Sequence, residues 1–158
     1  MPRAPDVTVA AIAETNGRFL LVEERIANRV VFNQPAGHVE PHETLLEAVV
    51  REAREETAWR FAPCALLGTY RREHSGRVTL RFAFIGEVSD HDETQRLDRG
   101  IVRTHWLTRE ELVQREPKLR SPLVLRCIDD YLRGRRLPLE PAGSFDARTA
   151  VGAIAEAV

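Results

Sequence analysis

Hydrophobic residues along this chain fall into short apolar runs and one long segment of helical period. Val7 to Ala13 (VTVAAIA) is an unbroken β-rich run and Phe19 to Val22 is a second. Between them stands Thr15-Asn16-Gly17-Arg18, and Asn-Gly between two apolar runs predicts a hairpin with Phe19–Val22 as the return strand. Glu23-Glu24-Arg25 ends that strand, a loop covers Ile26 to Arg29, and Val30-Val31-Phe32 predicts a third strand. Pro35 keeps Gln34 extended, and Asn33 to Gly37 reads as a loop into the next element. From Gly37 to Trp59 the period changes. Leu46, Val49, Val50 and Ala53 recur as a stripe on a helix. At about 100° per residue, Glu52, Glu55 and Glu56 share a narrow adjoining arc, so the acids are expected at the border of the buried face.

Downstream, Leu66 to Arg72 and Val78 to Val88 read as paired strands around the turn Glu73 to Arg77. Ser89 to Arg99 is a polar loop and Ile101 to Leu107 a further strand. Thr108 with Glu111 forms a Thr-x-x-Glu capping box for a short helix. Ser121 as N-cap and Pro122 as first residue open a last helix through Leu123, Val124, Ile128 and Leu132, which Gly134 ends. Residues from about 135 onward form a tail with no assigned element. Strands on both sides of one helix predict an α/β fold with a mixed sheet between helical layers.

Composition narrows the class. The chain has 158 residues, enough for one domain spanning 1–158 with a sizeable core. A net charge of −1 gives no bulk basic surface for nucleic acid. No apolar run reaches the roughly 18–20 residues of a membrane span, and MPRAPDVTVA lacks signal-peptide architecture, so a cytoplasmic protein is expected. Cys64 and Cys127 lack metal-type spacing and read as reduced, buried thiols.

The carboxylates change the picture. Like charges at i, i+3 and i+4 cost a helix roughly 0.2–0.5 kcal/mol per pair, and converging acids disfavour one another's ionisation. A hard divalent cation removes that penalty; Mg²⁺ takes oxygen ligands and is typically completed by water and substrate phosphate. Taken alone, two adjacent glutamates would be a solvated face with Arg51 and Arg54 as counterions.

The spacing goes further. Gly37, five residues, Glu43, seven residues, Arg51-Glu52, Ala53, one residue, then Glu55-Glu56 resembles the box of the Nudix hydrolase superfamily. The family pattern continues with a glycine where this chain has Ala58, so the helix is expected to run on or to exit differently. The resemblance implies a Nudix α/β/α sandwich and Mg²⁺- or Mn²⁺-dependent hydrolysis of diphosphate linkages. It implies metal binding by Glu52, Glu55, Glu56 and the Ala36 carbonyl, with the role of base open between Glu52 and Glu56. Arg51 would pair with Glu43 and hold the loop to the helix. Such sites often take a further acid; Asp92, Glu93 and Asp98 lie in a loop that can reach back, although each reads first as a solvated charge.

Outside the box, VTVA, Asn33-Gln34-Pro35-Ala36-Gly37-His38, Leu80-Arg81-Phe82, Arg120-Ser121-Pro122-Leu123-Val124 and Pro138-Leu139-Glu140 resemble the NudJ-type phosphatases of that superfamily. This implies release of orthophosphate from nucleoside tri- and diphosphates and thiamine-type diphosphates. The alternative is a pyrophosphatase that yields diphosphate and a monophosphate. A non-catalytic nucleotide sensor would lack box glutamates that are all present here. Arg81, Arg120, Gln34 and His38 are the candidate substrate contacts: Arg81 as a guanidinium for phosphate, Arg120 at a helix mouth, His38 in the loop. The expected partner is a small nucleotide or diphosphate, without nucleic acid or membrane, bound by a monomer or homodimer.

Overall fold

The computed structural model describes residues 3–139 of the chain. The elements run β1 (Asp6–Ile12), β2 (Glu14–Thr15), β3 (Arg18–Ile26), β4 (Arg29–Asn33), β5 (Ala36–His38), α1 (Leu45–Thr57), β6 (Arg60–His74), β7 (Arg77–Ser89), β8 (Ile101–Leu107), α2 (Arg109–Val113) and α3 (Leu123–Leu132). A 3₁₀ turn, Glu116–Lys118, lies between α2 and α3.

The strands form two four-stranded sheets among the described residues. One is mixed, in the order β5-β1-β7-β6, with β1 and β7 parallel and the other pairs antiparallel. The other is antiparallel: β3 pairs with β2 and β4 and, on its other edge, β8. The mixed sheet and its helical layers agree with the expected class; the second sheet is additional. Residues alternate between two cores along the central strands. Val9, Ala11, Leu20, Leu66 and Phe84 join Ala48, Val49 and Ala53 of α1 on one side. Ala10, Ile12, Leu21, Leu67, Ala83 and Ile85 join Val124, Cys127 and Ile128 of α3 on the other. Strands covered on both faces carry apolar residues in both phases, hence the unbroken run at Val9–Ala13.

Several local expectations are revised. Asn16 (φ 53°) and Gly17 (φ 76°) make the hairpin turn, but β3 returns along the two-residue β2, not along the main run. β1 gives its edges to β5 and β7 in the other sheet. β3 continues through the charged triplet because Glu23 to Ile26 pair with β4. Ala36 to His38, expected as loop, form a strand against Thr8 to Ala10. The start of α3 is one residue later than expected: Pro122 is the N-cap and Leu123 the first helical residue, while Ser121 Oγ accepts from the N–H of Leu123 at 3.2 Å without standing at the cap. Cys127 is buried, but Cys64 is exposed on β6. The first part of the tail is docked: Leu137 exchanges two backbone hydrogen bonds with Leu66, 2.8 and 2.9 Å, extending the edge at β6. The Ala-rich end lies outside the described residues. No helix among those residues is long and apolar enough to cross a membrane.

Candidate active site

Helix α1 begins at a capping box that the hydrophobic pattern did not single out. Thr44 Oγ1 accepts from Glu47 N at 3.1 Å and Glu47 Oε2 accepts from Thr44 N at 2.8 Å. Its buried face holds Ala48, Val49, Glu52, Ala53, Glu56 and Thr57. Glu52 and Glu56 are therefore within the buried face, 8% and 9% exposed, and not at its border. The helix exits in the left-handed conformation although no glycine stands there: Ala58 has φ 60° and ψ 10°, with its N–H on Arg54 O. The Ala58 carbonyl is held by Arg54 Nη1 at 2.8 Å and Asp92 N at 3.1 Å. These bonds offset a strain of about 1 kcal/mol or more, so the exit keeps the shape that glycine would give.

The same bonds build a platform under the acids. The last carbonyls of a helix have no intrahelical partner. Here Asp98 N donates to the free Glu55 O at 2.9 Å, and Gln95 Nε2 adds a second donor at 2.6 Å to Arg54 O, which already accepts from Ala58 N. The polar loop is thereby fastened to the end of α1, and Asp98 joins the cluster. One carboxylate oxygen each from Glu52, Glu55 and Asp98 lie within 4.8 Å of one another. Asp92 instead faces Arg54 at 3.6 Å. Glu56 lies outside that trio; its Oε2 accepts from Ala36 N at 3.0 Å and ties the helix to β5.

Arg51 organises the other side. Its Nε and Nη2 bind the two oxygens of Glu43 at 2.6 and 3.0 Å, and Nη2 also donates to His38 O at 3.0 Å. Its Nη1 reaches Glu52 at 2.9 Å and Glu55 at 3.1 Å. One guanidinium thus joins the loop after β5 to two of the convergent acids. The planar fork suits that work. Glu43 is held below the usual carboxylate range by its bond to Arg51. Glu52 is pushed up by burial, with Arg51 opposing, and Glu56 is pushed up by burial to about 8.

The donor set fits a hard divalent cation. It offers three convergent carboxylates, with a buried acid next to them whose charge is costly without a cation. Gly37 keeps the space: a Cβ there would fall 2.1 Å from Glu52 Oε1.

Gly37 also lines a cavity of about 430 Å³, together with Ala36, His38, Asn33, Thr8, Asp6 and Glu24 and the cations Arg72, Arg77, Arg81 and Arg120. His38 and Arg120 are exposed at it, while Arg81 is 7% exposed. Gln34 does not line it. Its side chain is buried, with Nε2 donating to Val124 O at 2.8 Å and Oε1 accepting from Arg81 Nη1 at 3.2 Å. The structure therefore brings Glu43, Arg51, Glu52, Glu55 and Asp98 together, with Ala36 and Glu56 alongside. Arg81, Arg120 and His38 gather around the cavity.

The chain matches the NUDIX domain family over residues 2–126. It is 41% identical over 143 residues to Phosphatase NudJ of Escherichia coli K12, covering 90% of this chain and 93% of that one. A solved NUDIX hydrolase from Nitrosomonas europaea superposes with a TM-score of 0.88 at 41% identity, over 91% of this chain and 99% of the other. The NUDIX domain of Shewanella oneidensis NrtR, solved with ADP ribose, shares the fold at TM-score 0.67 and 16% identity, over 83% of this chain and 88% of the other. On the family match and the box it explains, this chain belongs to the Nudix hydrolases, enzymes that act on phosphorus-containing anhydrides.

Proposed function

We propose that the chain hydrolyses nucleoside tri- and diphosphates and thiamine-type diphosphates, releasing orthophosphate, with Mg²⁺ as its cation and Mn²⁺ as a substitute. The observation that carries this reading is the convergence of Glu52, Glu55 and Asp98, with Glu52 packed against Gly37, which in turn lines a cavity rich in arginine. The likeness to a phosphatase over nearly the whole chain supports the choice of product.

Glu52, Glu55 and Asp98 would hold the cation, with Glu56 and the Ala36 carbonyl as the neighbouring donors. A bound divalent ion neutralises phosphate charge and makes a coordinated water more acidic. Glu56, buried beside the trio, takes the proton of the attacking water. Arg51 fixes Glu52 and Glu55 and keeps the end of β5 at His38 and the following loop at Glu43 against the helix. His38, Arg120 and Arg81 bind phosphate oxygens, and Gln34 acts through Arg81 by orienting it.

A Mg²⁺-dependent hydrolysis panel with GDP, GTP and thiamine diphosphate tests this, with orthophosphate and diphosphate scored separately. Orthophosphate from each is expected, abolished by chelation and reduced at least about a hundredfold in Glu56→Gln. Diphosphate plus a monophosphate from GTP would make the enzyme a pyrophosphatase. Unchanged turnover in Glu56→Gln would remove that residue from the site.

A further inference from the structure

Two buried side-chain atoms among the described residues have no hydrogen-bond partner, Thr8 Oγ1 and Arg81 Nε. Both residues line the same cavity. They are also neighbours in register: Thr8 on β1 pairs with Arg81 on β7, and His38 on β5 pairs with Thr8. Unpaired buried donors are costly, and two side by side at the wall of one cavity call for a shared acceptor.

The charge around them says which acceptor. Arg81 is buried, yet its Nη atoms meet the neutral amide oxygens of Gln34 and Asn33, at 3.2 and 3.4 Å, and the guanidinium also interacts with the Cys127 thiol. Cys127 beside it is pushed up by burial to about 11 and stays a neutral thiol. Of the two carboxylates lining the cavity, Asp6 is engaged by Arg77 at 2.7 Å. The other, Glu24, is not within ion-pair distance of Arg81, nor is any other carboxylate among the described residues. Arg72 and Arg120 add positive charge and the histidines His38 and His74 complete the rim. A desolvated guanidinium with no counterion is a poor structural element and a good anion receptor.

The geometry points to a buried oxyanion subsite on the cavity wall, formed by Arg81 Nε and Thr8 Oγ1 and aimed by Asn33 and Gln34, which binds a phosphate group without the divalent cation. It deepens the proposed function, because a phosphate held there is one that the carboxylate trio need not hold. Phosphate binding itself does not depend on that function. Thr8 then discriminates substrates: it donates to an acceptor oxygen on the ligand.

Calorimetric titration of the full chain with inorganic phosphate in EDTA tests the subsite, with GDP and guanosine as second and third ligands. Phosphate and GDP are expected to bind the parent. Thr8→Val, nearly equal in volume, should weaken both roughly tenfold. Arg81→Met should lose phosphate binding while raising the melting temperature of the ligand-free protein, because it removes a buried cation without a counterion. A purely structural arginine would lower that temperature. If Arg81→Met fails to fold, Thr8→Val still decides. Equal phosphate affinity in parent and Thr8→Val would overturn the subsite, as would absence of phosphate binding by the parent in EDTA. Guanosine binding as tightly as GDP, and lost in Thr8→Val, would assign the donors to a base and also overturn it. Hydrolysis plays no part in the titration: a protein that binds phosphate here but hydrolyses nothing keeps the subsite and loses the proposed reaction.

Discussion

The acidic end of helix α1 and the arginine cavity beyond β5 are two charged regions that solve the cost of charge in opposite ways. The acids carry their own counterion. Arg51 contacts Glu43, Glu52 and Glu55, and the loop of Asp98 is stitched to the helix end by backbone bonds. In the cavity, Arg81 is buried against neutral amides, with its Nε unpaired. The first region is prearranged without a ligand; the second is left for a ligand to complete. A preorganised cluster sets geometry, whereas an incompletely satisfied one supplies affinity.

The most damaging way to break that contrast is to take the counterion from the acids. Arg51→Ala leaves Glu43, Glu52 and Glu55 facing one another and the loop unfastened, and should cost about 2–3 kcal/mol in chemical denaturation. Arg51→Lys should restore only part of it, since an ammonium cannot reproduce the fork to Glu43. A loss under about 0.5 kcal/mol would make Arg51 a surface residue in effect and dissolve the comparison.

A second test uses pH. Glu56 is raised in the folded state to about 8 from an ordinary 4.5. A carboxyl raised on folding contributes stability that is fully present below 4.5 and is lost as pH climbs through about 8. The chelated protein should therefore melt progressively lower from pH 5 to pH 8.5, and added Mg²⁺ should flatten that slope. A flat melting profile in EDTA across this range would show that Glu56 is solvated.

The smallest effect is expected at the helix exit. Ala58→Gly relieves the left-handed alanine and should raise stability by about 1 kcal/mol, roughly 2–4 °C, with kcat unchanged. A fall in stability would mean that the Ala58 methyl group packs usefully at the exit, and a change in kcat would join the exit to the chemistry.

How much of this was legible in the sequence depends on the range over which each feature is determined. The helical period, the two positive-φ hairpin turns and the Thr108 box are set by neighbours within a few residues, and so is the pairing of Arg51 with Glu43 that the family spacing implies. The register of the buried face was misjudged by part of a turn, because glutamates count as polar in a periodicity while Glu52 and Glu56 are buried by what packs over them. Ala58 was misread for a similar reason: local propensity disfavours its conformation, and Arg54 and Asp92 override it.

The sequence by itself determined that there is an acidic helix with its arginine clasp, the strand-rich frame around it and the family that carries both. These rest on periodicity, turn chemistry and spacing along one segment. Only the tertiary structure decided that Asp98, not Asp92, joins Glu52 and Glu55, that Gln34 stands behind Arg81, and that Thr8 and Arg81 face one cavity. Those outcomes depend on strand order and register, with β1 paired in parallel to a strand some seventy residues away. Long-range register is fixed by which faces can be buried together, and no short stretch of chain encodes that.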